Sequence, residues 1–345
     1  MRVVVTGASG NAGTSVLAAL QDEAAVDSVL GIARRRPELS LPKVEWAQAD
    51  VSRDPLEPHF RGADAVVHLA WLIQPSRDQA TVHATNVAGS RRVFEAVGAA
   101  GVPALVHASS VGAYSPGPKD RAVDESWPTG GIPSSFYARH KAQAEHALDA
   151  VETANPRLRV VRLRPGLIFK RDAASGIRRL FAGPLLPSRL VRPGLIPVVP
   201  DTPRLCFQAV HSHDAGDAYR RAIVSDVRGA FNLAAEPVLD PDALARVLGA
   251  RKLRVRAGVL RAAAALTWRA RLQPSPEGWV DMALGVPIMD TTRAREELGW
   301  TPRHDGGEAL LELVGGIGDG AGYPTPPLHP GGSRLRELLT GVGAR

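Results

Sequence analysis

Cysteine is almost absent. Cys206 is the only one in 345 residues, so neither an intramolecular disulfide nor a cysteine metal centre is available. Lysine is scarce as well: five of the 42 basic residues are Lys, and the arginines are scattered among Ala, Gly and Pro. The net charge of +7 therefore reads as composition and not as a binding stripe. No basic run with interleaved aromatics appears, so nucleic acid is not expected as a partner. Aromatics make up 5% of the chain, which leaves the packing to aliphatic side chains and alanine. No apolar run approaches the ~18 residues of a membrane span, and strand and glycine turn begin at Met1–Gly7, leaving no room for a signal peptide. A soluble, cytoplasmic protein without a membrane partner is expected. Hydrophobic content of 44% and charged content of 22% are ordinary for a chain with a sizeable core.

Short β-rich runs alternate with helical stretches through the first half. Val3–Val5, Ser28–Ile32, Ala65–Leu69, Ala104–His107 and Arg159–Leu163 read as buried strands. Helical patterns cover about 12–21, 82–100 and 135–153. The alternation implies right-handed crossovers and an α/β fold, a Rossmann-type doubly wound parallel sheet. After Pro165 the texture changes. Residues 181–204 hold eight Pro or Gly and look like a substrate-pocket loop, with apolar Phe181, Leu185, Leu186, Leu190, Leu195, Ile196, Val198 and Val199. Val210–His213 and Phe231–Leu233 are strand-like and can rejoin the main sheet. Residues 1–166, rejoined by about 206–235, are therefore expected to form the cofactor domain. Residues 167–205 and 236–317 would form a smaller, mostly helical substrate lobe, and 318–345 a flexible tail with a short helix at Arg334–Leu339. The basic, apolar stretch Arg254–Leu272 suits a membrane surface, but a helix packed on the small lobe is the expected reading.

Thr6-Gly7-Ala8-Ser9-Gly10-Asn11-Ala12-Gly13 sits between the first strand and the first helix. The first glycine permits the tight turn, the second lets backbone approach a pyrophosphate, and the third lets the helix pack on the sheet. The helix N-terminus offers open N–H groups to phosphates. Where an NAD enzyme places an acid on the adenosine ribose, about twenty residues on, this chain has Ala33-Arg34-Arg35-Arg36. Guanidinium groups suit a 2′-phosphate. NADP(H) is thus favoured over NAD(H), with Arg34 and Arg35 as clamps; a solvated basic turn is the alternative. Asp50 and Val51 suit adenine recognition, and Leu69-Ala70-Trp71 would lie along the cofactor.

Tyr137 and Lys141, four apart, share one face of a helix. A nearby ammonium, with the positive nicotinamide, would lower the phenol's pKa and enable proton transfer. Ser110, closing a buried strand, is placed to hydrogen-bond a reacting oxygen.

These motifs together resemble the extended short-chain dehydrogenase/reductases, the NAD-dependent epimerase/dehydratase family. The residues that carry the resemblance are Gly7-x-x-Gly10-x-x-Gly13, Val67-His68-Leu69-Ala70, Asn86-Val87-x-Gly89, Ser109-Ser110-x-x-x-Tyr114, Tyr137-x-x-x-Lys141, Leu163-Arg164-Pro165-Gly166, Val210-His211-x-x-Asp214 and Thr292-Arg293-Ala294-x-x-x-Leu298-Gly299-Trp300. They run in the family's order over about residues 1–317. The resemblance implies Tyr137 as acid/base, Lys141 on the nicotinamide ribose, Ser110 on the reacting oxygen and Asn86 supporting the central helix. Ala108 and Pro165 join the cofactor-contacting set. It also implies a homodimer through the helices carrying Asn86 and Tyr137.

Departures from the pattern narrow the chemistry. Val111-Gly112 follows Ser110 where sugar 4,6-dehydratases carry Asp-Glu. Gly166-Leu167, Phe207-Gln208 and Gly285-Val286-Pro287 stand where nucleotide-sugar enzymes place diphosphate contacts. The expected function is an NADP(H)-dependent carbonyl reductase or alcohol dehydrogenase acting on a small, fairly apolar molecule. A sugar or nucleotide-sugar epimerase is the alternative, and a non-catalytic cofactor sensor a third. His211, His213 and Asp214 form an incomplete ligand set, so no metal is expected.

Overall fold

The computed structural model describes residues 1–73, 77–182 and 187–330. In chain order the first half runs β1 (Arg2–Thr6), α1 (Asn11–Gln21), β2 (Ser28–Ala33), β3 (Val44–Gln48), α2 (Glu57–Phe60), β4 (Ala65–His68), α3 (Gln79–His83), α4 (Gly89–Ala99), β5 (Ala104–Ala108), β6 (Ala122–Val123), α5 (Phe136–Ala154) and β7 (Arg159–Pro165). The second half runs β8 (Leu167–Phe169), α6 (Ala174–Ile177), β9 (Val198–Asp201), β10 (Phe207–His211), α7 (Ser212–Val224), β11 (Gly229–Leu233), β12 (Ala235–Leu239), α8 (Pro241–Leu248), β13 (Arg251–Arg254), α9 (Ala257–Arg269), α10 (Gly278–Gly285), β14 (Ile288–Met289), α11 (Thr292–Glu296) and α12 (Gly306–Asp319).

Seven parallel strands form the main sheet in the order β11-β7-β5-β4-β1-β2-β3. The order reverses at β1, which opens a crevice beyond the carboxyl ends of β1 and β4, where ligands bind in such sheets. Both faces of the sheet are covered, so its strands are continuous apolar runs and not alternating ones. In β1, Val3 and Val5 pack towards α1 and α7, while Val4 packs towards α4 and α5. The contact between α1 and α7 is close: a Cβ on Gly216 would lie 2.6 Å from the Ser15 carbonyl oxygen.

The lobe has its own core, in which Leu239, Leu244 and Leu248 meet Leu310, Leu313 and Ile317. Three readings need correction. β10 does not return to the main sheet: it ends at His211 and pairs with β8 and β12 in a separate three-stranded sheet, while β11 does join the main one. His213 lies in the first turn of a helix that Ser212 begins, because His211 accepts the His213 N–H and Asp214 sits in the positive first turn of α7. Residues 318–330 are not loose either. Asp319 ends α12, and the segment beyond it folds back with Thr325 and Leu328 buried. The Arg334–Leu339 helix, Leu185 and Leu186 lie outside the described residues. As expected, α9 rests on the lobe, against α10, with Ala265 its one buried residue.

Candidate active site

The glycine turn is built as its spacing requires. Gly7 has φ 71°, and a Cβ there would lie 2.6 Å from the Ala70 nitrogen. A Cβ on Gly13 would lie 2.4 Å from the Gly7 carbonyl oxygen, so glycine lets α1 settle on the turn. At Gly10 a Cβ would approach only the Gly7 oxygen, at 3.3 Å; its outer side is open. No side chain caps α1, leaving first-turn N–H groups and the positive helix end for an anion. These residues fit the pyrophosphate of a dinucleotide. Asn11 reaches sideways instead, its Nδ2 donating to the Ile168 carbonyl at 3.0 Å. Ser9 offers its carbonyl to the Thr325 hydroxyl at 2.8 Å, so the C-terminal segment straps the turn. At the end of β2, buried Ala33 is followed by exposed Arg34 and Arg35, and the Arg34 charge acts on Asp50 just after β3. Asp50 accepts from the Ser52 N–H and hydroxyl, and Val51 is buried behind it.

Buried Asn86 clamps the loop after β4. Its Oδ1 accepts the Leu72 N–H at 2.7 Å, and its Nδ2 donates to the Leu72 carbonyl at 3.0 Å. A π-helical turn over Ala84–Ala88 carries it, a local widening that often marks functional positions. The clamp fixes Leu69, Ala70 and Trp71 between the glycine turn and the catalytic helix.

Three groups meet at the end of β5. Ser110 closes the strand, and its hydroxyl accepts the Gly112 N–H at 3.0 Å, starting a short 3-10 turn. Ser135 caps α5 by accepting the Ala138 N–H, which places Tyr137 in the first turn and Lys141 one turn later. The Tyr137 hydroxyl faces the Ser110 side chain. A Cβ on Gly112 would press to 2.9 Å from the Tyr137 ring, so Gly112 leaves room for that ring. The Lys141 ammonium donates to the Ala108 carbonyl at 2.7 Å and lies 3.6 Å over the Trp71 ring. Pro165 ends β7 close by in the sheet, two strands from β4.

Electrostatics here depart from expectation. Burial pushes Tyr137 up to about 12, only partly offset by neighbouring Ser110. Burial pulls Lys141 down to about 7 against the favourable charge of Glu145. Lysine was expected to lower the tyrosine. Its ammonium instead points at Ala108 and Trp71, 5.9 Å from the Tyr137 ring centre, and loss of hydration dominates both groups.

Behind these groups lies a buried polar strut that motif reading missed. Glu145, one turn beyond Lys141, binds Arg164 through both oxygens, at 2.8 and 2.5 Å, and accepts the Ser109 hydroxyl. Arg164 also donates to the Tyr114 hydroxyl, which itself donates to Asn232 Oδ1 at 2.6 Å. The signal was present: Tyr137, Lys141 and Glu145 continue one helix face, and Arg164 sits in a motif already singled out.

In front, the wall is apolar. Trp279 lies 5.2 Å from the Tyr137 ring, and Met282, Ile132 and Leu180 complete a cluster around it. Of the segment 181–204, Phe181 reaches Trp279 at 5.5 Å. Leu190, Leu195 and Val198 are exposed, while Ile196 and Val199 pack into the lobe. Sequence reading missed Trp279 and Met282, whose positions depend on α10 folding back over α5. Away from this centre, His211 bonds Glu312 and His304 bonds Asp214, each at 3.0 Å. His211, Asp214 and His304 thus come together, with partners that the local sequence did not reveal.

Residues 3–174 match the family model described as NAD dependent epimerase/dehydratase family. An uncharacterised protein of Mycobacterium tuberculosis is 29% identical over 318 residues, covering 91% of this chain but 30% of that protein. The chain thus spans less than a third of that relative's length. Sterol demethylase protein B of Methylococcus capsulatus is 30% identical over 152 residues, 42% of this chain and 45% of that one. The solved Thermus thermophilus UDP-glucose 4-epimerase complex with NAD superposes with a TM-score of 0.67 at 23% identity, covering 92% of this chain and 99% of that one. The cofactor turn, the clamped loop and the Ser110–Tyr137–Lys141 centre all lie within the matched residues 3–174. The chain belongs to the NAD-dependent epimerase/dehydratase family of extended short-chain dehydrogenase/reductases.

Proposed function

We propose that this enzyme oxidises and reduces a secondary alcohol carbon, with Tyr137 taking and returning the hydroxyl proton. The observation that carries the reading is half-buried Tyr137 standing beside Ser110, one helical turn from buried Lys141. When bound, the nicotinamide cofactor supplies or accepts the hydride. Ser110 and Tyr137 hold the reacting oxygen from one side, where two donors stabilise charge developing on it. Lys141 follows one helical turn later, with its ammonium 5.9 Å from the Tyr137 ring centre. Trp71, Trp279 and Met282 keep water from the reacting carbon.

Sequence reading placed net carbonyl reduction first. The solved structures similar to this chain include a UDP-glucose 4-epimerase with NAD, and this likeness supports transient oxidation followed by re-reduction on the other face of a sugar. Net redox on an apolar alcohol or ketone is the second reading. The apolar wall of Trp279, Met282, Ile132 and Leu180 favours it. For the cofactor, the similar structures carry NAD, while exposed Arg34 and Arg35 argue for the 2′-phosphate of NADP(H) in this chain. Pairing through α4 and α5 into a homodimer belongs to the same proposal.

Titration of the purified protein with NADH and NADPH, then incubation with ketones, secondary alcohols and nucleotide sugars, separates these readings. Interconversion of a sugar with no net change at the reduced-nicotinamide band establishes the epimerase. Stoichiometric oxidation of the reduced cofactor by an apolar ketone establishes net redox. In either case Tyr137→Phe is expected to lose on the order of 10²–10⁴ in rate with cofactor binding retained. Turnover that survives the substitution overturns the role of Tyr137.

A further inference from the structure

Helix α9 turns its apolar side outward. Val259, Ala262, Ala263 and Leu266 follow the i, i+3, i+4, i+7 spacing of one helix face, and all four are exposed, Val259 at 58% and Leu266 at 68%. The protein side is held differently. Arg261 pairs with Asp281 of α10 at 2.9 Å, and the Trp268 ring carries the Arg77 guanidinium at 3.9 Å. Leu253, on the strand leading into α9, and Leu272, just after it, are more than half exposed, at 55% and 51%. A cluster of exposed large aliphatic side chains on one short segment marks an interaction site.

Charge identifies the partner. From residue 243 to 276 the chain contains no Asp or Glu and eight Arg or Lys. Lys252 and Arg261 have carboxylate partners on either side of this stretch, Asp242 and Asp281. Among the described residues no carboxylate pairs with Arg254 or Arg256 before the helix, nor with Arg269 or Arg271 at its end. Apolar side chains in the middle of the helix with cations at both ends match a bilayer interface: the acyl boundary takes Val259 and Leu266, and anionic headgroups take the arginines. A second copy of the chain fits poorly, since a two-fold contact would face these arginines with themselves. Nucleic acid would leave the apolar stripe in water.

We propose that α9, with Leu253 and Leu272 at its ends, docks this protein in the plane of a membrane surface bearing anionic lipid. The helix is far too short to span the bilayer, and no helix among the described residues is long and apolar enough to do so. α9 lies against α10, which carries Trp279 and Met282 to Tyr137, so docking holds the reaction centre near the lipid. The docking reading stands without the choice between epimerase and net redox.

The test is co-sedimentation of the full chain with vesicles of phosphatidylcholine, with and without phosphatidylglycerol. Wild-type protein is expected to pellet with the phosphatidylglycerol vesicles, to stay in the supernatant with phosphatidylcholine alone, and to be released by high salt. Each arginine removed near the surface should weaken binding about fivefold, so Arg254→Gln with Arg256→Gln should lose about 30-fold. Leu266→Asp should release the protein with every arginine in place. Circular dichroism melting and NADH titration show that the variants are folded. Wild-type protein that ignores the anionic vesicles at low salt overturns the proposal, as does binding that survives both variants. Wild-type dimerisation abolished by Leu266→Asp, without vesicle binding, assigns the face to a second copy instead.

Discussion

Glu145→Gln tests whether the catalytic strand and helix are held from behind. Glu145 is 2% exposed and Arg164 is 5% exposed, and their bidentate contact leaves neither charge in water. Burial would raise the Glu145 carboxyl, but the Arg164 guanidinium, the Ser109 hydroxyl and Arg162 hold it below the ordinary carboxylate range. Glutamine keeps the shape and removes the charge, leaving the buried guanidinium with neutral hydrogen-bond partners, the amide oxygen, the Tyr114 hydroxyl and the Glu125 carbonyl. Breaking one side of such a pair costs about 3–5 kcal/mol. With an unfolding entropy of about 2.1 cal/mol/K per residue over this length, Tm should fall by about 4–7 °C. Removing both charges, Glu145→Met with Arg164→Leu, should cost less than the single change, because no unpaired ion remains. Near-UV circular dichroism melts at neutral pH measure both. The pH dependence has a fixed sign: a lowered carboxyl contributes stability above the ordinary carboxylate range and loses it as pH falls through the folded value. The gap between wild type and Glu145→Gln should therefore narrow on acidification. A single variant melting within about one degree of wild type, against the predicted drop, or a double variant melting below the single, refutes the strut.

Three further predictions concern the cofactor side. Gly13→Ala places a methyl 2.4 Å from the Gly7 oxygen, and since neither backbone can yield cheaply, about 1–3 kcal/mol should be lost from folding and NADH affinity with it; unchanged titration and melting would contradict the close approach. Lys141 has its ammonium pulled down to about 7 by burial, so between that value and the ordinary lysine range the unfolded chain binds a proton that the folded chain does not. Stability from this group accordingly falls as pH drops through that window, and Lys141→Met should gain on wild type at pH 7 relative to pH 10; parallel melts at the two pH values check it. Thr325→Val removes the hydroxyl that holds the Ser9 carbonyl, a loss of about 0.5–1.5 kcal/mol, and should weaken NADH binding severalfold in a fluorescence titration. Unchanged affinity would confine the strap to packing.

What could be read from the sequence shares one property: it is local. The runs of β1 and β4 are apolar throughout because both sheet faces are covered, and no alternation was needed to recognise them. Gly7, Gly10 and Gly13 are legible because their spacing falls within seven residues between a strand and a helix, although the contact that demands Gly7 comes from Ala70. Tyr137 and Lys141 are legible because one helical turn joins them. The unread features are products of long-range packing. Trp279 and Met282 stand far along the chain from Tyr137, and nothing in their own neighbourhood announces that α10 crosses α5. His304 and Glu312 find Asp214 and His211 across similar separations. The strap was misread for a compositional reason. Gly-Tyr-Pro-Thr-Pro-Pro cannot form a helix or strand, yet its backbone closes on itself, Tyr323 N–H to Leu328 O at 3.0 Å and Leu328 N–H to Thr325 O at 3.0 Å. With the turn satisfied, Thr325 and Leu328 are free to be buried.

The same contrast explains how the centre is arranged. Its polar contacts are concentrated behind the catalytic groups: Glu145, Arg164, Tyr114 and Asn232 link α5, β7, the turn after β5 and β11. That strut fixes where Ser109 and Ser110 end the strand, and so where a hydroxyl presented to Tyr137 must sit. Among the described residues the front offers no comparable network, and Trp71, Trp279, Met282 and their neighbours line it. A rigid polar back with an apolar front locates the reacting oxygen closely while recognising the rest of the substrate mainly by shape. In the proposed reaction, proton transfer would rest on the back wall of α5, β5 and β7, and the choice of substrate on α10 and its neighbours, which the lobe supplies. Substitutions at Trp279 or Met282 should accordingly change which alcohol or ketone is turned over far more than they change the dependence of turnover on Tyr137, a division that a substrate panel run on both classes of variant would expose.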